Sequence, residues 1–237
     1  MNLTGRLAVV TGATEGIGRA IAFALGRAGA AVAICSRTAS AVDATVAALR
    51  EAGVDALGRA CDVGDAAAVA AFGAFVAQQR GDAAVLVNNA GVGRFAPLEQ
   101  LTLEDWDLTM GTNVRSLYLV TRTFLPGLAR SGAAAIVNIA SLAGKNGFDG
   151  GTAYCASKHA VLGFSKALML EVRKRGIRVI AVCPGSVVTP FMDKQSQMRP
   201  NRDRVLQADD VAQAVLGALT LPDRAMLSEL DLRPTNP

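Results

Sequence analysis

A short apolar run, Leu7-Ala8-Val9-Val10, passes straight into Thr11-Gly12-Ala13-Thr14-Glu15-Gly16-Ile17-Gly18 and then into a helical pattern carried by Ile21, Ala24, Leu25 and Ala28. This junction of strand, glycine turn and helix constrains the fold more than any other feature, because its rhythm repeats along the chain. Ala31 to Cys35 reads as a second strand, and Val42, Val46 and Leu49 mark one face of a helix closing at Gly53. A third strand runs into Cys61-Asp62, after which Asp65 has the side chain to cap a helix bearing Val69, Phe72, Phe75 and Val76. Val85-Leu86-Val87 is a fourth strand leading to Asn88-Asn89-Ala90-Gly91. A long helical pattern follows from about Leu103 to Leu128, then a strand from Ala135 to Ile139 that ends at Ser141. The helix of Tyr154 continues through Leu162, Leu168 and Val172, and Arg178 to Cys183 forms a sixth strand before Pro184-Gly185. Beyond a polar, irregular stretch from Thr189 to Gln207 come a helix from Ala208 to about Leu221 and an edge strand at Leu230-Asp231-Leu232. Short strands without polar faces, alternating with amphipathic helices, imply a parallel sheet covered on both sides. We therefore expect a doubly wound α/β fold, with residues 1–237 forming one domain, since no repeat or linker interrupts the pattern.

Composition narrows the function classes. Half of the residues are apolar and charged residues are sparse, which excludes a disordered chain. The net charge of +4 is scattered, apart from Arg173-Lys174-Arg175 and a looser group from Arg199 to Arg204. The triplet falls at the end of a helix before Gly176, where cations complement the helix dipole, so a nucleic-acid partner is not expected. Cys35, Cys61, Cys155 and Cys183 lack the spacing of a metal or redox motif, and His159 is the sole histidine, so no metal is expected. Reduced thiols, no leader-like start at Met1 and no apolar run long enough to span a bilayer together point to a cytoplasmic protein with no membrane partner.

A glycine turn between the first strand and first helix suits a dinucleotide pyrophosphate: the backbone can be approached closely and the helix N-terminus presents unpaired N–H groups. Here the glycines are Gly12, Gly16 and Gly18. The end of the second strand meets the adenosine ribose in such folds. A carboxylate there binds a 2′-hydroxyl, but this chain carries Ser36-Arg37, and a guanidinium pairs with a 2′-phosphate instead. The expected cofactor is therefore NADP(H), with Glu15 as the one opposing charge nearby. Asp62 and Asn88-Asn89 stand at the carboxyl ends of the third and fourth strands, where ligands bind in open sheets. Within the long helix, Gly111-Thr112-Asn113 is a run of poor helix formers and predicts a kink or bulge.

Tyr154 and Lys158 lie four residues apart on one helix face. A phenol about 5 Å from an ammonium would lose roughly two pKa units at an effective dielectric of ~20, and so approach the range useful for proton transfer. In combination, Thr11-Gly12-x-x-x-Gly16-Ile17-Gly18, Asp62-Val63, Asn88-Asn89-Ala90-Gly91, Asn113, Ser141, Tyr154-x-x-x-Lys158 and Pro184-Gly185 with Thr189 resemble the classical short-chain dehydrogenase/reductase family over essentially the whole chain. That resemblance implies a Rossmann-type fold and carbonyl reduction, reversible as alcohol oxidation, by an NADPH-dependent oxidoreductase. It places the catalytic set on Asn113, Ser141, Tyr154 and Lys158. Ser141 would hold the carbonyl oxygen and Tyr154 protonate it. Lys158 would lower the tyrosine's pKa and bind the nicotinamide ribose, and Asn113 would hold a water linking Lys158 to solvent. Cofactor contacts are implied for Gly12, Thr14, Gly16, Ile17, Gly18, Ser36, Arg37, Asp62, Val63, Asn89, Ala90, Gly91, Tyr154, Lys158, Pro184, Gly185, Val187 and Thr189.

The resemblance also implies a substrate pocket built from Gly93-Arg94-Phe95, Leu142 to Phe148 and Phe191-Met192, with residues 189–207 as a mobile loop over a small-molecule carbonyl. That loop carries Lys194, Arg199, Arg202 and Arg204 against Asp193 and Asp203, so it could tolerate an anionic group near an apolar substrate. A 3-oxoacyl-[acyl-carrier-protein] reductase is the main alternative, using Arg94 or the Arg199 to Arg204 group. A non-catalytic NADP-binding sensor is less consistent with an intact catalytic set. Between Cys155 and Leu170 only Lys158, His159 and Lys166 can be charged, so the Tyr154 helix should be covered on more than one side. The family pattern supplies the cover as a second subunit, in a homotetramer or homodimer.

Overall fold

A computed structural model describes residues 1–193, 201–202 and 204–235. Its frame is one parallel sheet of β1 (Leu7–Thr11), β2 (Ala31–Ser36), β3 (Ala56–Ala60), β4 (Val85–Asn88), β5 (Ala134–Ile139), β6 (Ile177–Pro184) and the late strand Glu229–Leu232, in the order β3-β2-β1-β4-β5-β6 and then that last strand. The order reverses between β1 and β4, and Val9 is the pivot, facing Ala33 on one side and Leu86 on the other. A crevice opens at such a reversal beyond the strand ends.

Helices α1 (Gly16–Arg27), α2 (Ala39–Glu51) and α3 (Ala66–Arg80) are the first three crossovers. Asp65 caps α3 as its sequence suggests, accepting from the backbone N–H groups of Ala67 and Ala68. The helical pattern expected over 103–128 divides into α4 (Leu103–Met110), a π-helical turn (Gly111–Arg115) and α5 (Ser116–Arg130). The break falls on the Gly111-Thr112-Asn113 run. Helix α6 (Thr152–Val172) carries Tyr154 and Lys158. Two-residue strands β7 (Val187–Val188) and β8 (Leu206–Gln207) pair in a second small sheet, with the short α7 (Pro190–Asp193) between them. Helix α8 (Ala208–Thr220) and β9 (Glu229–Leu232) complete the chain.

The core has two apolar layers, one on each face of the sheet. The alternation of strand side chains divides β1 between them: Ala8 and Val10 face α1, α2 and α8, while Leu7 and Val9 face α3, α5 and α6. Lys145 joins the loop after β5 to β9 through Glu229 and Asp231, and its pKa is raised by those hydrogen bonds. No helix among the described residues is long and apolar enough to cross a membrane.

Candidate active site

The cleft at the carboxyl edge of the sheet has a volume of about 750 Å³. Its floor is the turn between β1 and α1. Gly12 and Gly16 take φ of +62° and +54°, which L side chains rarely adopt, so the turn presents bare backbone at those two positions, with Thr14 and Glu15 between them. Asn89 locks it: its Nδ2 donates to the carbonyls of Thr11 and Gly12 at 2.9 and 3.0 Å, while Thr11 Oγ1 accepts from the N–H groups of Asn89 and Ala90. Gly18 does not line the cleft. A Cβ there would stand 2.3 Å from Asn89 Nδ2, so its service is to let α1 close on that lock.

Thr14, Gly16 and Ile17 line the cleft at the N-terminus of α1. Thr14 Oγ1 donates to Ser36 Oγ at 3.2 Å, tying the turn to the end of β2, and the exposed Arg37 stands at this end of the cleft. Asp62 and Val63 follow β3 along the same wall, with Ala90 and Gly91 after β4. Pro184, Gly185, Val187 and Thr189 form the wall after β6, and Thr189 closes on Gly16, whose Cβ would meet its Cγ2 at 3.1 Å. Cys61, Val92, Ser186, Val205, Arg233 and Pro234 also line the cleft. Arg233 and Pro234 are delivered by β9, and no local sequence pattern announces them.

Ser141, Tyr154 and Lys158 converge in the same cleft. Ser141 leaves β5 in an extended conformation (φ −175°) and caps a 3₁₀ turn, Leu142–Gly144, by accepting from Ala143 N–H at 3.1 Å. Lys158 is buried, and its Nζ donates to the Ile139 carbonyl at 2.8 Å while lying 5.7 Å from the Tyr154 ring centroid. Burial lowers the lysine's pKa to about 8. Tyr154 moves the other way from expectation: burial pushes the phenol up to about 12, against a weaker pull downward from a hydrogen bond with Ser141. Proximity lowers a phenol's pKa where both groups are solvated enough to stay charged, whereas burial here penalises charge on each. In the chain alone, Tyr154 is a protonated acid at neutral pH.

Asn113 sits in the π turn, buried, and does not line the main cleft. Its Oδ1 accepts from Val92 N–H at 2.8 Å, and its Nδ2 donates to Val92 O and Ser157 Oγ, each at 2.9 Å. Both side-chain N–H groups are committed, so the side chain positions the strand-end loop and α6. Asn88 and Asn89 divide their work: Asn88 faces the interior and donates to Asn138 Oδ1 and Thr121 Oγ1, joining β4 to β5 and α5.

Of the expected pocket segments, Phe95, Leu142, Phe148, Phe191 and Met192 line the cleft, while Gly93 and Arg94 do not. Arg94 pairs with Asp105 at 3.0 Å, and Arg202 pairs with Asp193 at 2.7 Å. Lys194, Arg199 and Asp203, and with them part of the expected 189–207 loop, lie outside the described residues.

Known proteins share this fold. A metagenomic short-chain oxidoreductase solved in complex with NADP superposes with a TM-score of 0.87 at 37% identity, covering 100% of both chains. A variant of actinorhodin polyketide ketoreductase solved with NADPH gives 0.90 at 36% identity, over 97% of this chain and 96% of that one. In sequence, a protein of Streptomyces virginiae named as a ketoacyl reductase of monensin polyketide synthase is 45% identical over 82% of this chain and 75% of its own length. The 3-oxoacyl-[acyl-carrier-protein] reductase of Pseudomonas aeruginosa is 35% identical over 91% and 90%. The family model described as short chain dehydrogenase matches residues 6–200. With that match running from β1 past the Tyr154 helix, the chain belongs to the short-chain dehydrogenase family.

Proposed function

We propose that this protein is a cytoplasmic NADPH-dependent oxidoreductase that reduces a ketone or aldehyde to the alcohol, reversibly. The observation that carries the reading is the meeting of Ser141, Tyr154 and Lys158 in the same cleft that the glycine turn and Arg37 line. The residues present fit NADP(H): bare backbone at Gly12 and Gly16 beside the N-terminus of α1 suits the pyrophosphate, and an exposed guanidinium suits the 2′-phosphate. Bound there, the dinucleotide supplies hydride to the carbonyl carbon. Ser141 then donates a hydrogen bond to the carbonyl oxygen, and Tyr154 gives that oxygen its proton. A phenol raised to about 12 keeps the proton until an alkoxide, a far stronger base, develops beside it. Lys158, with a pKa brought down to about 8, can return a proton to the phenol near neutral pH. Fixed dipoles around the developing alkoxide supply the electrostatic part of the barrier reduction.

The test is NADPH oxidation across a panel of carbonyl compounds, with Tyr154→Phe as control. Removing the acid should cost about 10²–10⁴-fold in turnover, and a variant with full turnover would defeat the assignment. NADH serving better than NADPH would overturn the role of Arg37.

A second reading, reduction of a 3-oxoacyl group on a carrier protein, is favoured by the names of the relatives in Streptomyces and Pseudomonas. Against it, Arg94 and Arg202 are already paired with this chain's own carboxylates, which lowers their attraction for an acidic carrier.

A further inference from the structure

The part of the cleft beyond Tyr154 is built from rings. Phe95 comes from the loop after β4, Phe148 from the loop before α6 and Phe191 from α7. The Phe95 centroid lies 5.2 Å from Phe148, 5.3 Å from Tyr154 and 6.4 Å from Phe191, and Tyr154 lies 5.8 Å from Phe191. The planes meet edge-on around Phe95, at 86°, 74° and 72°. Three segments distant in sequence thus place phenyl rings against the phenol that we assign as the acid. Glycine backbone backs two of them: a Cβ on Gly151 would come within 2.6 Å of the Phe148 ring, and one on Gly93 within 2.7 Å of the Phe191 ring.

Among the described residues, charge is nearly absent here. Glu15, Arg37 and Asp62 belong to the glycine-turn end of the cleft and Lys158 sits behind Tyr154, which leaves Arg233 as the remaining charged residue among the described lining. A polar carbonyl compound would leave this apolar wall without a matching partner. The rings already touch one another, so a substrate packs against the side of the cluster that faces the cleft, where a flat ring covers apolar surface and can meet its neighbours offset or edge to face, the arrangements that aromatic pairs prefer.

We infer that the substrate is a neutral ketone bearing an aryl or fused aromatic ring next to its carbonyl, gripped by Phe95, Phe148 and Phe191 while its oxygen points at Ser141 and Tyr154. This rests on the carbonyl-reduction reading and narrows it to a substrate class.

The experiment compares molecules matched in size and differing in flatness, acetophenone against cyclohexyl methyl ketone, in wild type, Phe95→Leu and Phe191→Leu. Two readouts are taken: kcat/KM with NADPH, and calorimetric binding of 1-phenylethanol against 1-cyclohexylethanol to the protein saturated with NADP⁺. We expect the aryl member to be favoured about tenfold in both, and each leucine variant to shrink that preference to about threefold or less. Turnover of both ketones at equal efficiency overturns the clamp and leaves the reduction reading standing. No turnover of either ketone or of any other member of the carbonyl panel, with tighter binding of 1-phenylethanol that the leucine variants lose, supports the clamp and defeats the reduction reading. Equal binding of the two alcohols to wild type sinks the inference whatever the kinetics show, as does a preference untouched by both variants.

Discussion

At the scale of single residues, the most consequential fact is that burial governs Tyr154 and Lys158 more strongly than their proximity does. The four-residue spacing was legible in the sequence, but the depth was not, because a side chain's desolvation depends on segments as distant as Phe95, Ile139 and Phe191. A stability prediction follows with a definite sign. Lys158 has a folded pKa of about 8 against an ordinary value of 10.5, so the unfolded chain binds more protons between those values and stability rises with pH there. Below pH 8 the buried ammonium costs about 3 kcal/mol, and above 10.5 it costs nothing. Tyr154 has the opposite sign: its contribution is present below pH 10 and is lost as pH rises to about 12. Urea unfolding of cofactor-free protein should therefore show wild type gaining about 2 kcal/mol on Lys158→Met between about pH 8 and 10. Parallel curves for the two proteins across that window would mean the ammonium is solvated.

At the scale of elements, periodicity read the strands and most helices because each buries one face on the sheet. It could not see β7 and β8, since a two-residue pair such as Val187–Val188 with Leu206–Gln207 has no period and exists only through tertiary approach. Nor could it separate Asn88 from Asn89: adjacent strand residues point to opposite faces, and only the sheet decides which amide enters the core. The π turn was legible, through three poor helix formers in succession. Its purpose is visible only in three dimensions, where the turn aims Asn113 at both polar groups of Val92. Asn113→Leu would remove three hydrogen bonds and leave their partners short of them. We expect a loss of about 2 kcal/mol in unfolding free energy, with faster amide exchange at Val92. Unchanged exchange there would show that the loop after β4 is held by something else.

At the scale of the whole molecule, α6 is covered on less of its surface than its composition demands. The sequence leads one to expect apolar cover around most of this helix, yet His159, Gly163, Lys166, Ala167 and Leu170 are exposed in the single chain, Leu170 by 57%. A Cβ on Gly163 would meet nothing within 4 Å, so another backbone could approach closely at that point. Leu103 and Tyr118, on α4 and α5, are likewise exposed, by 68% and 47%. Scattered apolar residues on a surface are ordinary, but small residues and a leucine in one helical row suit helix-on-helix contact. We therefore propose self-association through α6 and through the α4–α5 face, giving a homotetramer, or a homodimer if only one face is used. Light scattering at micromolar concentration should give four times the chain mass of 24.4 kDa. Ala167→Arg would place a long charged side chain in the α6 row and should halve that mass while leaving the sheet intact by circular dichroism. Since Ala167 is exposed and outside the cleft, a fall in mass without a fall in secondary structure isolates the interface as its cause. A wild-type monomer at that concentration would contradict the proposal outright, and an Ala167→Arg protein of undiminished mass would move the contact away from α6.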